Sequence, residues 1–170
     1  IHRVEGLKPG LYCLPRAPGH LDSLRDGMDP GFEWEQVMDE PGLYLLQEGD
    51  YRATAELISC QQAIAGDSAL SLAMLSRFQP VLQAAPWRYP SLYWESGVVG
   101  QVLYLEAEAN GMQGTGIGCF YDDLMHELLG IRDDSWQDLY HFTIGQALVD
   151  ERIQTLPPYH HLEVARTANG

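Results

Sequence analysis

Four glycines fall within eight residues of the stretch "GMQGTGIGCFYDD", at Gly111, Gly114, Gly116 and Gly118. Such a run cannot be the interior of a stable helix, because each glycine costs about 1 kcal/mol there relative to alanine. As a strand, it suits a place where something approaches the bare backbone closely. It lies between two segments that read as helices. The chain must therefore leave one helix, pass through a region almost without side chains, and enter another. Two explanations compete: a loop that cradles a nucleotide, and a buried strand that passes close to something flat. The spacing "GTGIG" is not the GxGxxG that opens a dinucleotide-binding helix, and no GxxxxGK[ST] occurs anywhere. A tight helix-to-strand connection packed beneath a helix remains the plainer expectation.

The flanking segments set the frame. "SLYWESGVVGQVLYLEAEANG" is the strongest helix, expected over residues 93–110. Val98, Leu105 and Ala109 share a face, and Gly111 closes the helix in the C′ position. Ser96, Gly97 and Gly100 form a small-residue patch near its start, where a backbone or a flat ligand could approach. After the glycines, "YDDLMHELLGI" reads as a helix with Asp122 and Asp123 in its first turn and Gly130 as its stop. His126, one turn after Asp122, is expected to form a surface i, i+4 pair with it. Residues 11–14 and 20–24 read as a hairpin around "PRAPG", and residues 28–50 as an irregular acidic surface excursion with a small helix or strand. "YRATAELISCQQAIAG" has helical spacing at Ala53, Leu57, Ile58 and Ala65, and Gly66 is its expected stop. "SALSLAMLSRF" reads as a buried central strand, "VLQAAPWRYP" as a connection and "LYHFTIG" as an alternating strand. The tail from residue 146 is expected to be extended, since its proline pair forbids regular helix. Strands alternating with helices predict an α+β or α/β layer fold.

Length and charge restrict partners. A chain of 170 residues is one domain by size, residues 1–170, with a hairpin and excursion at 1–50, a core at 51–159 and a tail at 160–170. The net charge of −14, from 24 acids against 10 bases, excludes the clustered cations that nucleic acid needs and disfavours anionic membranes. No run of about 18 apolar residues predicts a membrane span, and the first residues lack the apolar core of a signal peptide. Because the first residue is Ile1, the chain is expected to begin inside a longer polypeptide. Cys13, Cys60 and Cys119 are odd in number and widely spaced, so no disulfide framework or zinc ribbon is expected. Reduced thiols in the cytoplasm are the default.

Catalytic motifs are sparse. The six histidines include "HH" at His160 and His161, yet no HExxH or HxH occurs, and no metal site is expected. There is no GxSxG nucleophile elbow. Glu95 stands among aromatic and apolar residues near a helix start. A carboxylate there needs a partner or serves the helix dipole. No catalytic residue can be named from the sequence.

Taken together, the second half resembles the nitroreductase superfamily, and within it the SagB-type dehydrogenases, the branch that includes azoline oxidases. The resemblance rests on Arg88 and Tyr89; Glu95, Gly97, Gly100 and Gln101; Ala107 and Gly111; Phe120, Asp122 and Asp123; Gly145; and "DERIQTLPPY" from Asp150 to Tyr159. The early "RVEGLKPGLYCL" is similar to the family's hairpin.

The resemblance implies an α+β, nitroreductase-like fold: a central, mostly antiparallel sheet flanked by helices, with a long helix at a dimer interface. It implies an FMN-dependent oxidoreductase that moves hydride through the flavin. It places Gly116, Ile117, Gly118 and Cys119 along the isoalloxazine edge, with the N–H of Gly118 or Cys119 facing flavin N5, where glycine leaves no side chain in the way. Glu95, Gln101 and Arg152 are the further cofactor-binding candidates. The partner would be a second copy or a fused nitroreductase-like half, with a peptide or small molecule as substrate. Family members also carry an Arg-rich segment for the FMN phosphate ahead of the hairpin, and it has no counterpart here. Arg152 and Arg166 are the remaining candidates, so weak FMN binding by these residues alone is expected. The alternative is a non-catalytic half that completes a pseudo-dimer without flavin.

Overall fold

In the computed structural model, which describes residues 1–162, the chain begins with β1 (Gly10–Cys13), α1 (Leu21–Gly27), β2 (Glu35–Met38) and β3 (Leu43–Glu48). It continues through α2 (Arg52–Ile58), α3 (Ala63–Asp67), β4 (Leu70–Arg77), α4 (Gln79–Ala84) and α5 (Tyr89–Ala109). It then passes through β5 (Gln113–Ile117), α6 (Asp122–Leu129) and β6 (Trp136–Gly145). The strands make two antiparallel sheets, ordered β1–β3–β2 and β4–β6–β5. This is the α+β class with antiparallel sheets, flanking helices and one long helix.

Strand β6 is the spine of the second sheet. Its run from Leu139 to Ile144 is buried apart from half-buried Tyr140, and His141 stands opposite both Ala73 of β4 and Ile117 of β5. The strand read as central, β4, is therefore a flank of the described sheet and is only half-buried along most of its length. Helix α5 lies on this sheet. Ala107 joins Phe142 and Ile144 in one cluster, and Leu103 and Tyr140 pack against it. A Cβ on Gly100 would sit 2.9 Å from the Tyr140 ring, so the helix approaches through its bare position. The helix starts at Tyr89, earlier than the sequence suggested, because proline in its first turn is compatible with helix entry. It ends where Gly111 takes φ +68° and the Met112 N–H donates to the Ala107 carbonyl, the left-handed closure expected of a C′ glycine.

A second cluster, Leu24, Met28, Leu46, Leu129, Ile131 and Trp136, ties the first sheet and α1 to α6 and the start of β6. Its clip is Gly130. That residue has φ +73°, and a Cβ there would lie 2.9 Å from the Asp29 nitrogen. The Asp29 N–H in turn donates to the Leu129 carbonyl at 2.8 Å.

Several local expectations give way to tertiary packing. Residues 20–24 are not the second strand of a hairpin. They belong to α1, whose Leu24, with Met28 just beyond the helix end, buries at a spacing of one helical turn. The partner of β1 is β3, which lies inside the supposed irregular excursion and carries the core residues Leu45 and Leu46. The helix read across residues 51–66 breaks at Cys60 and Gln61, both in the left-handed region at φ +55° and +58°. Gly66 is no stop. It lies within α3, and a Cβ would meet the Arg52 carbonyl at 2.8 Å. The connection before α5 contains α4 and a 3-10 turn at Pro86–Arg88.

Candidate functional site

The glycine stretch divides into two physical roles. On β5, Gly114 and Gly116 lie beneath aromatic rings of the protein itself. A Cβ on Gly114 would stand 2.7 Å from the Phe142 ring, and one on Gly116 would overlap the Tyr140 hydroxyl. The Gly116 N–H is also taken, donating to the Tyr104 hydroxyl of α5 at 2.8 Å. The flat objects that these two glycines accommodate are Phe142, Tyr140 and Tyr104. Ile117 is buried and points into the core.

Gly118 is different. It is exposed, and no atom lies within 4 Å of where its Cβ would be. Among the described residues, neither the Gly118 N–H nor the N–H of exposed Cys119 finds an acceptor. Two backbone donors thus leave the end of β5 with open space over the first. An acceptor atom on the edge of a planar ligand could be met there.

A buried polar stack holds this loop from below. The Phe120 ring lies on His141 at a centroid distance of 4.4 Å and an interplanar angle of 8°. His141 Nε2 contacts Asp138 Oδ2 at 2.6 Å, and its Nδ1 contacts Ser59 Oγ at 3.3 Å. Burial pushes the Asp138 carboxyl above the ordinary carboxylate range, while His141 beside it acts in the opposite direction. The order Ser–His–Asp suggests nucleophilic catalysis, but Ser59, Asp138 and His141 are only 1%, 2% and 3% exposed. At that burial, beside a concavity of only about 60 Å³, the array serves as a strut under the loop. The sequence reading missed it. Its one local sign was the polar pair Asp138 and His141 inside an apolar strand. His126, expected to pair with Asp122, instead accepts the Asp138 N–H through Nε2 at 3.1 Å. Asp122 accepts from Gln137 Nε2 at 2.8 Å.

The other sequence candidates are dispersed. Gln101 lies one helical turn before Tyr104, the residue that reaches β5, and is exposed. Glu95 is nine positions before Tyr104, so at 100° per residue it stands on the opposite side of α5. Arg152 belongs to the exposed C-terminal segment, where its guanidinium is held by Asp150 at 2.7 and 2.8 Å. Arg166 lies outside the described residues. Helix α5 also presents an apolar stripe to solvent, with Trp94, Val98 and Leu105 exposed to 70%, 66% and 61%.

Two concavities are poor homes for a large anionic ligand. The one beside His141 and Ser59 has a volume of only about 60 Å³. The wider cleft, about 500 Å³, is lined by five carboxylates, Asp29, Asp123, Glu127, Asp133 and Asp134, against the single arginine Arg132, a balance that disfavours a phosphate. Among the described residues, no group of three His, Cys, Asp or Glu side chains is arranged to hold a metal ion. No described helix is long and apolar enough to cross a membrane.

Comparison with known proteins bears on the architecture. A solved structure from Anabaena variabilis, provisionally assigned as a nitroreductase, superposes with a TM-score of 0.63 at 24% identity over 85% of this chain. The chain has a nitroreductase-type fold. It spans only 25% of that protein's length. Nitroreductase A from Vibrio parahaemolyticus is a more distant match, with a TM-score of 0.49 and 17% identity, covering 95% of this chain and 70% of that one. A provisionally assigned nitroreductase from Exiguobacterium sibiricum, solved in complex with FMN, gives 0.47 at 14% identity, covering 95% and 89%. No family model and no curated protein matches the sequence.

Proposed function

We propose that this chain is part of an FMN-dependent oxidoreductase of the nitroreductase type, akin to the SagB-type dehydrogenases, and that the edge of the flavin ring meets Gly118 and Cys119. The observation that carries the reading is the pair of N–H donors at the end of β5 that find no acceptor among the described residues, with open space over Gly118 among those residues. In a nitroreductase-type fold this corner fits the ring: the glycine admits a flat edge, and a backbone N–H can donate to a ring nitrogen. FMN, when bound, would accept and pass on a hydride. The chain's own part is to hold its donors still. The Phe120–His141–Asp138 stack supports this, because a rigid buried array fixes the loop that carries them. Gln101, one turn before Tyr104 on α5, is a further candidate to contact the ring.

The phosphate end of FMN fits these residues poorly. Arg152 is already committed to Asp150, Arg52 to Asp50 and Lys8 to Glu48. The remaining described arginines are scattered along the chain, so in this reading the functional unit draws its phosphate site from a further segment or from a partner half. The apolar stripe on α5 is the surface for that partner, either a second copy or a fused nitroreductase-like half, burying on the order of 2,000 Å². The same scatter of cations along the chain favours a second reading, a non-catalytic half that completes a pseudo-dimer without flavin.

Flavin titration separates the two. Residues 1–170 alone are expected to bind FMN weakly, and binding is expected to strengthen when the upstream segment or partner is supplied. Submicromolar affinity for the isolated chain would show that the phosphate site is present after all. No binding in the complete assembly would leave the non-catalytic reading.

A further inference from the structure

Cys60 and Cys119 are 59 positions apart in sequence, yet the fold brings their thiols close enough for one to influence the other. The meeting is braced on both sides. The Tyr121 N–H donates to the Ile58 carbonyl at 2.8 Å. Gln62 Nε2 donates to the carbonyls of Ser59 at 2.8 Å and of Cys119 at 3.1 Å. Residues 58–62 and 119–121 are thus laced together with the two sulfurs between the lacings. The backbone is bent to achieve this: Cys60 and Gln61 adopt φ of +55° and +58°, a left-handed conformation that non-glycine residues rarely occupy. Strain of this kind persists only where the surroundings enforce it. Here the hydrogen bonds of Gln62 and the buried Ser59–His141 contact enforce it. Cys119 is exposed and Cys60 half-buried, so both are open to a small reagent, Cys119 the more so.

We propose that Cys60 and Cys119 form a redox-active dithiol, oxidised to an intramolecular disulfide by low-molecular-weight disulfides. The Cys119 thiolate attacks one sulfur of the disulfide RSSR. The RS–SR bond breaks, and one thiolate leaves, taking a proton to become RSH. The Cys60 thiolate then attacks the Cys119 sulfur of the mixed disulfide and expels the second thiolate, which is protonated in turn. Both cysteine sulfurs are oxidised, the two sulfurs of RSSR are reduced, and two RSH are released. A dithiol reductant runs the sequence backwards. The bond clamps the turn between α2 and α3 onto the loop that follows β5, the segment carrying Gly118. This proposal does not depend on flavin binding.

Cys13 supplies an internal control, because it packs against the cluster of Leu24, Met28 and Trp136 and burial pushes its thiol up to about 11. The test is incubation of the folded chain with oxidised glutathione, followed by alkylation and peptide mapping without reduction. Two of the three thiols should be lost. The Cys60 and Cys119 peptides should appear linked, with Cys13 still alkylated and full recovery after dithiothreitol. In the Cys60→Ser variant, Cys119 should remain trapped as a glutathione adduct. The proposal is overturned if wild-type Cys119 accumulates as that adduct while Cys60 stays alkylatable. It is equally overturned if all three thiols survive, or if the linkage joins two chains.

Discussion

The Tyr104 hydroxyl on α5 accepts the Gly116 N–H on β5 at 2.8 Å. This single bond anchors the long helix to the sparsest strand in the molecule, and it occupies the outer edge of that strand just where the candidate ligand corner begins. Two residues further on, at Gly118, the protein no longer fills the space.

That boundary gives a stability contrast between two chemically identical substitutions. Gly114→Ala drives a methyl into Phe142, which is 0% exposed and cannot withdraw. It should destabilise the chain by about 1–3 kcal/mol, the usual cost of overpacking. Gly118→Ala meets open space and should stay within about 0.5 kcal/mol of wild type. Urea unfolding of both variants checks the pair, and equal losses would contradict the division of roles.

The same corner yields a functional expectation. Gly118→Val places a branched side chain where the flavin edge is proposed to lie. In the flavin-loaded assembly it should abolish flavin retention while leaving the far-ultraviolet circular dichroism unchanged. Visible absorbance after gel filtration reads the result. Full flavin content in the variant would remove Gly118 from the site.

Assembly is testable through α5. Val98→Glu or Leu105→Glu puts a charge in the middle of the exposed apolar stripe. Each should weaken the proposed self-association or pairing by at least about tenfold, corresponding to 1.4 kcal/mol. Sedimentation velocity at micromolar concentration is the measurement. A wild-type chain that is already a well-folded monomer, with no partner segment, would contradict the interface.

A pH dependence follows from Asp138, whose carboxyl burial raises above its ordinary value. A raised acid favours the folded state while it is protonated. Its contribution is therefore complete below the unfolded carboxylate value, about 3.9, and is lost as pH rises through the raised folded value. Asp138→Asn removes that titration. The difference in thermal midpoint between wild type and variant should move in the variant's favour as pH increases across this window, and a pH-independent difference would show that the carboxyl does not titrate there.

What the sequence disclosed was mostly chemistry that acts within a few residues. Gly111 and Gly130 were legible as helix ends because a left-handed closure depends on the residue itself, and both take positive φ. The long helix was legible from its length and its Gly111 stop, and β6 from its apolar run. Helix α1 was misread because five residues do not distinguish strand alternation from a single helical turn until Leu24 and Met28 bury together. Strand β3 lies in an acidic segment read as a surface excursion with at most a small element, and the core role of its two buried leucines was not legible there. At the candidate site, the glycine stretch announced close approach but not by what. Phe142 and Tyr140 arrive from β6 and Tyr104 from α5, so the answer exists only once the sheet has formed. The His141–Ser59 contact joins positions 82 residues apart and left no trace in local spacing.

The fit of rings against bare backbone also limits how such a chain can diverge. Positions 114 and 142, and likewise 116 and 140, share one volume between them. A lineage that gains a side chain at 116 must first shrink the tyrosine at 140, or pass through a destabilised ancestor. Among descendants, these pairs should therefore change in step, whereas position 118 is free of that bargain and answers only to whatever it binds.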